Sequence, residues 1–386
     1  MKQIINEWRK FLSEGGNVFK GERVDSIPME FIQPTLERYY EELSRLFPMH
    51  ATDFQNFSPL GSVGKKAKSG DIDLAVDVRE MFPQGKVTDK DLESWNLDPD
   101  SWKVTYEKMV KRARTATPSE VELRAFLYEL AKYIGENSEI IKTDLKKVRP
   151  GQMFSLFPQI SDSGEQKDVG VQIDWMMGNR NWLKFSYFSP MPTESQPMLK
   201  GLHRTQLLLS MFLAKNYSFK HVGGVFDRAS GEKVAHSPSE ALELLGKLYG
   251  APITIENMDT FEGIYGWLMS NATEEDRNSA LDAYLVILDR TSGNKEVDPE
   301  TGEGRRCGYI PQELEDYWLR NWERLELKGR YLCKSTNDPL RDAIDAIQEA
   351  KKWSTKYKKS INCNNPKGFS QKQYCKRQKR GGSYKS

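Results

Sequence analysis

Apolar and polar positions alternate most sharply in two stretches of the chain. In Asp71-Ile72-Asp73-Leu74-Ala75-Val76, Ile72 and Leu74 share one side of an extended segment while Asp71 and Asp73 share the other. In Val169-Gly170-Val171-Gln172-Ile173-Asp174-Trp175-Met176, Val169, Val171 and Ile173 fall on one face and Gln172 and Asp174 on the opposite one. Residues 153–160 predict a partner strand for 169–177, joined to it as a hairpin across the polar run 161–168. Residues 54–60 also read as a strand. Helical signals lie elsewhere. Thr117-Pro118-Ser119-Glu120 offers an N-cap, a proline at the first helical position and a capping-box glutamate, with Gly135 placed to stop the helix. Ser237-Pro238-Ser239-Glu240 repeats the device and leads through Leu248 to Gly250. Thr273 is positioned to cap a helix carrying Leu281, Tyr284, Leu285 and Leu288, and Ile4, Ile5, Trp8, Phe11 and Leu12 fit an amphipathic helix ended by Gly15-Gly16.

These elements, spread over 386 residues, predict an α+β protein in three parts. A mixed-sheet domain with flanking helices covers about 1–190, with a largely helical insertion at about 79–150. A mostly helical domain covers 191–353, and a basic, flexible tail covers 354–386. The apolar run from Leu207 to Ala214 is eight residues long, far short of the ~20 a bilayer requires. The N-terminus has no apolar core of a secretory signal, and four cysteines argue against a disulfide-stapled secreted fold, so a reducing cytoplasm is the expected setting. Charge adds a further clue. Of 57 Lys and Arg residues, twelve lie in 351–386, which holds no Asp or Glu; the rest carries 45 basic against 55 acidic residues, a net of −10. A basic tail on an acidic body points to a polyanion, with nucleic acid first.

The acidic face at Asp71 and Asp73 follows Leu60-Gly61-Ser62 at a distance of nine residues from the serine. A small-residue turn can hold phosphates, and two adjacent carboxylates repel unless a cation joins them. Mg²⁺ suits such oxygen ligands, because it binds through one or two carboxylates together with substrate phosphates. The bland alternative makes Asp71, Asp73 and Asp77 the wet face of a half-buried strand, and Asp77 reads as a solvated strand end. The turn, the spacing and the later acidic strand together favour the metal-and-nucleotide reading.

This pattern resembles the DNA polymerase beta-type nucleotidyltransferase superfamily over roughly residues 50–180: a hydrophobic residue, Gly-Ser, a spacer, then acid-hydrophobic-acid-hydrophobic on a strand. The resemblance implies that superfamily's mixed sheet and two-metal chemistry. Asp71 and Asp73 would bridge two Mg²⁺ ions, with Mn²⁺ as a substitute, and a third acid would ligate one of them. Asp174 is the choice for that acid, with Asp162, Glu165 and Asp168 close by in sequence. Gly61 and Ser62 would contact the phosphates of an NTP, ATP favoured. Lys200, His203 and Arg204 share one helical face, and basic residues so placed often touch the triphosphate in the superfamily; otherwise they form a charged rim on a buried helix. Lys65, Lys66 and Lys68 lie near the phosphates if the motif holds.

In the tail, lysines interleave with Tyr357, Phe369 and Tyr374, as single-stranded nucleic-acid binding requires, although a merely solubilising extension has the same composition. Cys363 and Cys375 lack nearby histidines, so a zinc site would need Cys307 and Cys333 as well. The run from Cys363 to Lys372 resembles short tails of bacteriophage and large-virus proteins, which would place the chain in a host cytoplasm. Three functions compete. The first is template-independent transfer of NMP to a hydroxyl of RNA, as in tRNA-end and poly(A)-type enzymes. The second is the same transfer to a protein, a small molecule or a nucleotide, as in oligoadenylate or cyclic-dinucleotide synthesis. The third is a catalytically silent nucleic-acid-binding protein.

Overall fold

A computed structural model describes residues 18–19, 21–112, 118–189, 201–220, 223–291, 296–297, 304–305, 314–327, 355–367, 371–372 and 374–375. The helix expected at 4–12 lies outside them, as do Cys307 and Cys333. Contacts group 14–284 as one compact unit, and the described residues from Leu285 onward belong to a second. The boundary expected near residue 190 falls inside the first unit.

The fold is α+β around a mixed five-stranded sheet. Its strands are β1 (Ser58–Pro59), β2 (Ile72–Asp77), β3 (Lys142–Thr143), β4 (Gln152–Ile160) and β5 (Gln166–Gly178), in the spatial order β1-β2-β5-β4-β3. The expected hairpin is present as β4 and β5, antiparallel with Phe154 opposite Asp174 and Ser155 opposite Ile173. Within the sheet only β2 and β5 run parallel. A parallel pair needs a long crossover, and the expected helical insertion supplies most of it: α2 (Val78–Met81), α3 (Asp89–Ser94), α4 (Pro99–Arg112) and α5 (Pro118–Asn137).

Ile72, Leu74, Ile173 and Trp175 are fully buried in one core with Tyr39, Leu43, Phe126 and Leu130, contributed by α1 (Met29–Leu46) and α5. Alternation along β2 and β5 sends Asp73 and Asp174 to the face away from that core. Buried polar groups on the core face are paired. The Trp175 indole donates to the Tyr39 hydroxyl at 2.9 Å, and that hydroxyl meets Ser155 Oγ at 2.8 Å. Ser155 in turn donates to the Ile173 carbonyl at 2.9 Å, tying α1 to the two central strands.

Two local expectations are corrected. Residues 54–60 do not form one strand: Asp53–Asn56 is a 3₁₀ turn and only Ser58–Pro59 pairs with β2. The cause is the spacing of Phe54 and Phe57. Both rings pack on Trp175, at centroid distances of 6.4 and 4.8 Å, which a three-residue turn permits and a flat strand does not. Gly135 does not stop α5, which continues to Asn137. A Cβ at Gly135 would lie 2.7 Å from Thr143 Oγ1, so the glycine is where the helix touches the sheet edge.

The rest of the first unit comprises α6 (Arg180–Ser186), α7 (Gly201–Ala214), α8 (Pro238–Tyr249), α9 (Phe261–Asn271) and a small antiparallel sheet of Tyr217–Lys220, Gly224–Asp227 and Lys233–Ala235. The Ser237 cap is realised: its side chain accepts from the Glu240 amide, and Gly250 ends α8 in the left-handed conformation. Thr273 likewise accepts from the Asp276 amide at 3.2 Å, ahead of a helix spanning Glu274–Thr291.

Candidate active site

Parallel pairing of β2 with β5 puts Asp73 directly opposite Asp174, in the register that also aligns Ile72 with Ile173 and Leu74 with Trp175. The apolar partners lock that register, because a one-residue slip of either strand would turn its acid into the core and its apolar residues out of it. Asp71 sits just before β2, on the same side as Asp73. Leu60 donates its amide to the Asp73 carbonyl at 2.9 Å, hanging the Gly61-Ser62 turn on the acid strand. Gly61 has φ +62°, and a Cβ there would lie 3.6 Å from Asp73 Oδ2. A glycine relieves backbone strain here and keeps space open over the acid. Ser62 follows in the turn, its carbonyl accepting the Lys65 amide at 3.1 Å.

The three acids perturb one another. Burial raises the Asp71 carboxyl to about 6. Burial, then the charge of Asp71, pushes Asp73 well above the ordinary range. Asp174 is pushed up by burial and then by Asp73 and Asp71, with a Gln172 hydrogen bond opposing. That bond runs from Gln172 Nε2 to Asp174 Oδ2 at 3.1 Å, and the Val18 amide fixes the Gln172 side chain by donating to its Oε1 at 2.9 Å. Asp174 Oδ1 is buried and has no hydrogen-bond partner among the described residues. A buried carboxylate oxygen without a donor, beside two further carboxyls, lacks countercharge. Among the described residues no three His, Cys, Asp or Glu side chains are gathered tightly enough to form a finished cage. The hard oxygen donors and the missing positive charge nevertheless fit a divalent cation such as Mg²⁺.

Asp162, Glu165 and Asp168 are at the other end of the hairpin. Asp162 and Glu165 are exposed beside its turn, and Asp168 pairs with Arg23 at 2.8 Å with its side chain 98% exposed. Asp77 is a correction. It is not solvated but 4% exposed, and it caps α2 by accepting from the Arg79 amide at 3.0 Å and from the Arg79 guanidinium. The Arg180 amide also donates to it at 3.2 Å. The strand turns directly into a helix, whose unsatisfied N–H groups need an acceptor. Although burial opposes it, hydrogen bonding from Arg79 holds the Asp77 carboxyl below its usual range.

Of the basic residues singled out on the helix after the third acid, Lys200 lies outside the described residues. His203 is buried, with Nδ1 2.6 Å from the Tyr284 hydroxyl. Arg204 is 1% exposed; its Nε donates to the Met258 carbonyl and its Nη1 to the Phe185 carbonyl, each at 2.6 Å, while Nη2 is buried with no partner among the described residues. Burial lowers its pKa to about 10, opposed by Asp259. From the turn, Lys65 donates to the Ser189 carbonyl at 2.6 Å and stands 5.0 Å over the Phe188 ring, which Arg204 approaches at 5.6 Å. Phe188 is bridged to Gly61. Lys65 and Arg204 therefore share an aromatic neighbour that borders the glycine turn. Lys66 is half-buried, and Lys68 is exposed and paired in register with Pro28.

Three nearby residues escaped the sequence reading. Gln172 orients Asp174, and its position two before that acid on the same face was a usable signal. Tyr187 has its hydroxyl pushed well above the ordinary range by burial and then by the charges of Asp73 and Asp174. Phe188 follows it. Neither Tyr187 nor Phe188 carries a periodic or motif signal, because both lie in the chain just beyond a short helix.

No protein-family model matches the chain, and no curated protein sequence matches it. Among solved structures, two complexes of polymerase beta from Leishmania infantum, a ternary P/T complex and a ternary gap complex, are similar at TM-scores of 0.30 and 0.31. Both are 14% identical over 61% of this chain, covering 77% and 71% of theirs. Likeness this slight has no bearing on function; the chemistry of the site rests on its residues.

Proposed function

We propose that the protein is a template-independent nucleotidyltransferase that moves NMP from an NTP, ATP favoured, to a hydroxyl of RNA. The observation that carries this reading is the facing of Asp73 and Asp174 on parallel neighbours, with Asp71 beside them and the Gly61-Ser62 turn over them. Asp71, Asp73 and Asp174 would hold Mg²⁺, which when bound activates an attacking hydroxyl and stabilises the departing pyrophosphate.

The chain's own groups account for the rest. Gly61 lets the backbone approach the phosphates, and the Ser62 amide and hydroxyl are donors at the same turn. Asp174 Oδ1, partnerless among the described residues, is the acceptor toward which the nucleophile's O–H can point. Gln172 holds the other oxygen, so Asp174 presents a fixed edge. In the reaction the acceptor oxygen bonds the α-phosphorus, the bond from that phosphorus to the β-bridging oxygen breaks, and pyrophosphate leaves. Little covalent chemistry is asked of the protein; position and charge do the work. The twelve basic residues of 351–386, a stretch without Asp or Glu, supply the attraction to RNA.

The test is incubation of the full chain with RNA and each α-labelled NTP in turn, under Mg²⁺ and then Mn²⁺. The reading expects label in RNA, lost in Asp73→Asn. Label appearing only in low-molecular-weight products on chromatography, or in the protein, would redirect the acceptor. No transfer from any NTP to any acceptor would overturn the enzymatic reading.

A further inference from the structure

The tail's two cysteines are bonded to each other: Cys363–Cys375 is a disulfide spanning 12 positions. The sequence left the state of these cysteines open, a zinc site needing Cys307 and Cys333 as well. The bond closes a loop within the basic tail. A short helix, Thr355–Ser360, leads into it. Tyr374 and Cys375 are buried, with Ile361 and Cys363 packed against them as a very small apolar seat. Gln371 joins the two sides: its Oε1 accepts from the Lys367 amide at 2.7 Å, and its Nε2 donates to the Tyr357 hydroxyl at 2.9 Å. So few apolar residues cannot hold a fold by themselves, and a covalent staple is the usual remedy.

The surface of this loop has a definite character. Lys359, Lys367 and Lys372 are exposed, the Tyr357 side chain is 43% exposed with its hydroxyl tethered, and residues 351–386 contain no carboxylate side chain. Cations around an oriented aromatic ring suit a strand whose phosphates and unstacked bases are both accessible. A lipid surface would be met by the charges but gives no role to a ring held by its hydroxyl.

We infer that the tail is a disulfide-closed clamp for single-stranded nucleic acid, and that reduction of Cys363–Cys375 loosens its grip. Closure holds the three lysines and Tyr357 near one another before binding, so less ordering has to occur on association. Reduction by a dithiol transfers two electrons and two protons to the pair, giving two cysteine thiols and an oxidised, cyclic disulfide of the reductant. The inference rests on the reading of RNA as the acceptor, yet the clamp's operation needs neither NTP nor the three acids.

The experiment measures fluorescence anisotropy of a labelled single-stranded RNA with the full chain carrying Asp73→Asn, without NTP, before and after dithiothreitol. Reduction is expected to weaken binding by at least about threefold. The double variant Cys363→Ser plus Cys375→Ser should bind like the reduced chain and ignore dithiothreitol, which excludes effects through Cys307 or Cys333. Lys359, Lys367 and Lys372 changed together to Gln should flatten the salt dependence, by about 0.7 in log-log slope for each lost phosphate contact. Equal affinity before and after reduction overturns the inference. So does dithiothreitol-sensitive binding in the double variant, or binding only to anionic phosphatidylserine vesicles and not to RNA. Because no turnover is measured, a failure here is separable from a failure of nucleotidyl transfer.

Discussion

Replacing Asp71 with Asn should make the cation-free protein more stable while abolishing the proposed nucleotidyl transfer. Asp71 is held at about 6 against an ordinary 3.8. At ~1.4 kcal/mol per tenfold change in proton affinity, ionising it in the folded chain costs about 3 kcal/mol relative to the unfolded chain. Its partial exposure lets solvent screen some of this, leaving roughly 1–3 kcal/mol. Folded Asp71 keeps its proton to higher pH than unfolded Asp71, so the unfolded state releases first. Stability from this group is therefore intact below about pH 4, falls as pH rises through about 6, and stays reduced above it. Asparagine cannot ionise, so the variant lacks this loss. Thermal melts with EDTA, taken every half unit from pH 4 to 8, should show the two proteins converging near pH 4. At pH 7.5 the variant should lead by about 2–4 °C for each kcal/mol recovered. Added Mg²⁺ should raise the wild type and narrow the gap. A variant that is less stable at every pH, or an offset independent of pH, would refute the reasoning that uncompensated charge strains these acids.

Three further outcomes follow from other contacts. Asp77→Ala removes the α2 cap and leaves the Arg180 amide without its acceptor; urea melts should report a loss of about 1–2 kcal/mol, with the acids still in register. Gly61→Val forces a branched side chain into a left-handed backbone position above Asp73; NTP incorporation should fall at least about tenfold, while far-ultraviolet circular dichroism keeps its shape. Tyr39→Phe leaves the buried Trp175 indole without an acceptor and strips Ser155 of a partner, costing about 1–3 kcal/mol by chemical denaturation.

Much of the site was legible because its elements obey short-range rules. Alternation at 169–177 placed Asp174 on a face, and the polar run at 161–168 announced a hairpin, so the acid-bearing strand could be read directly. The register between β2 and β5 could not, since it depends on the 88 residues between Asp77 and Gln166 folding back correctly; only the structure sets Asp73 opposite Asp174. Phe54 and Phe57 misled because their β-propensity was overridden by the Trp175 ring they pack on. Asp77 misled because its surroundings depend on the strand turning at once into a helix. The tail disulfide stayed hidden because pairing follows from proximity, and composition argued for separate thiols. Arg204 was read as a triphosphate contact or a charged rim on a buried helix; its full burial against the Phe185 and Met258 carbonyls comes from non-local packing.

The most direct measurement is Mn²⁺ binding followed by electron paramagnetic resonance, with and without a non-hydrolysable ATP analogue. The account predicts that wild-type protein depletes the free-ion signal, more strongly with the nucleotide, and that Asp71→Asn, Asp73→Asn and Asp174→Asn each lose most of this uptake. Equal uptake by all four proteins, or none by the wild type with nucleotide present, would contradict it.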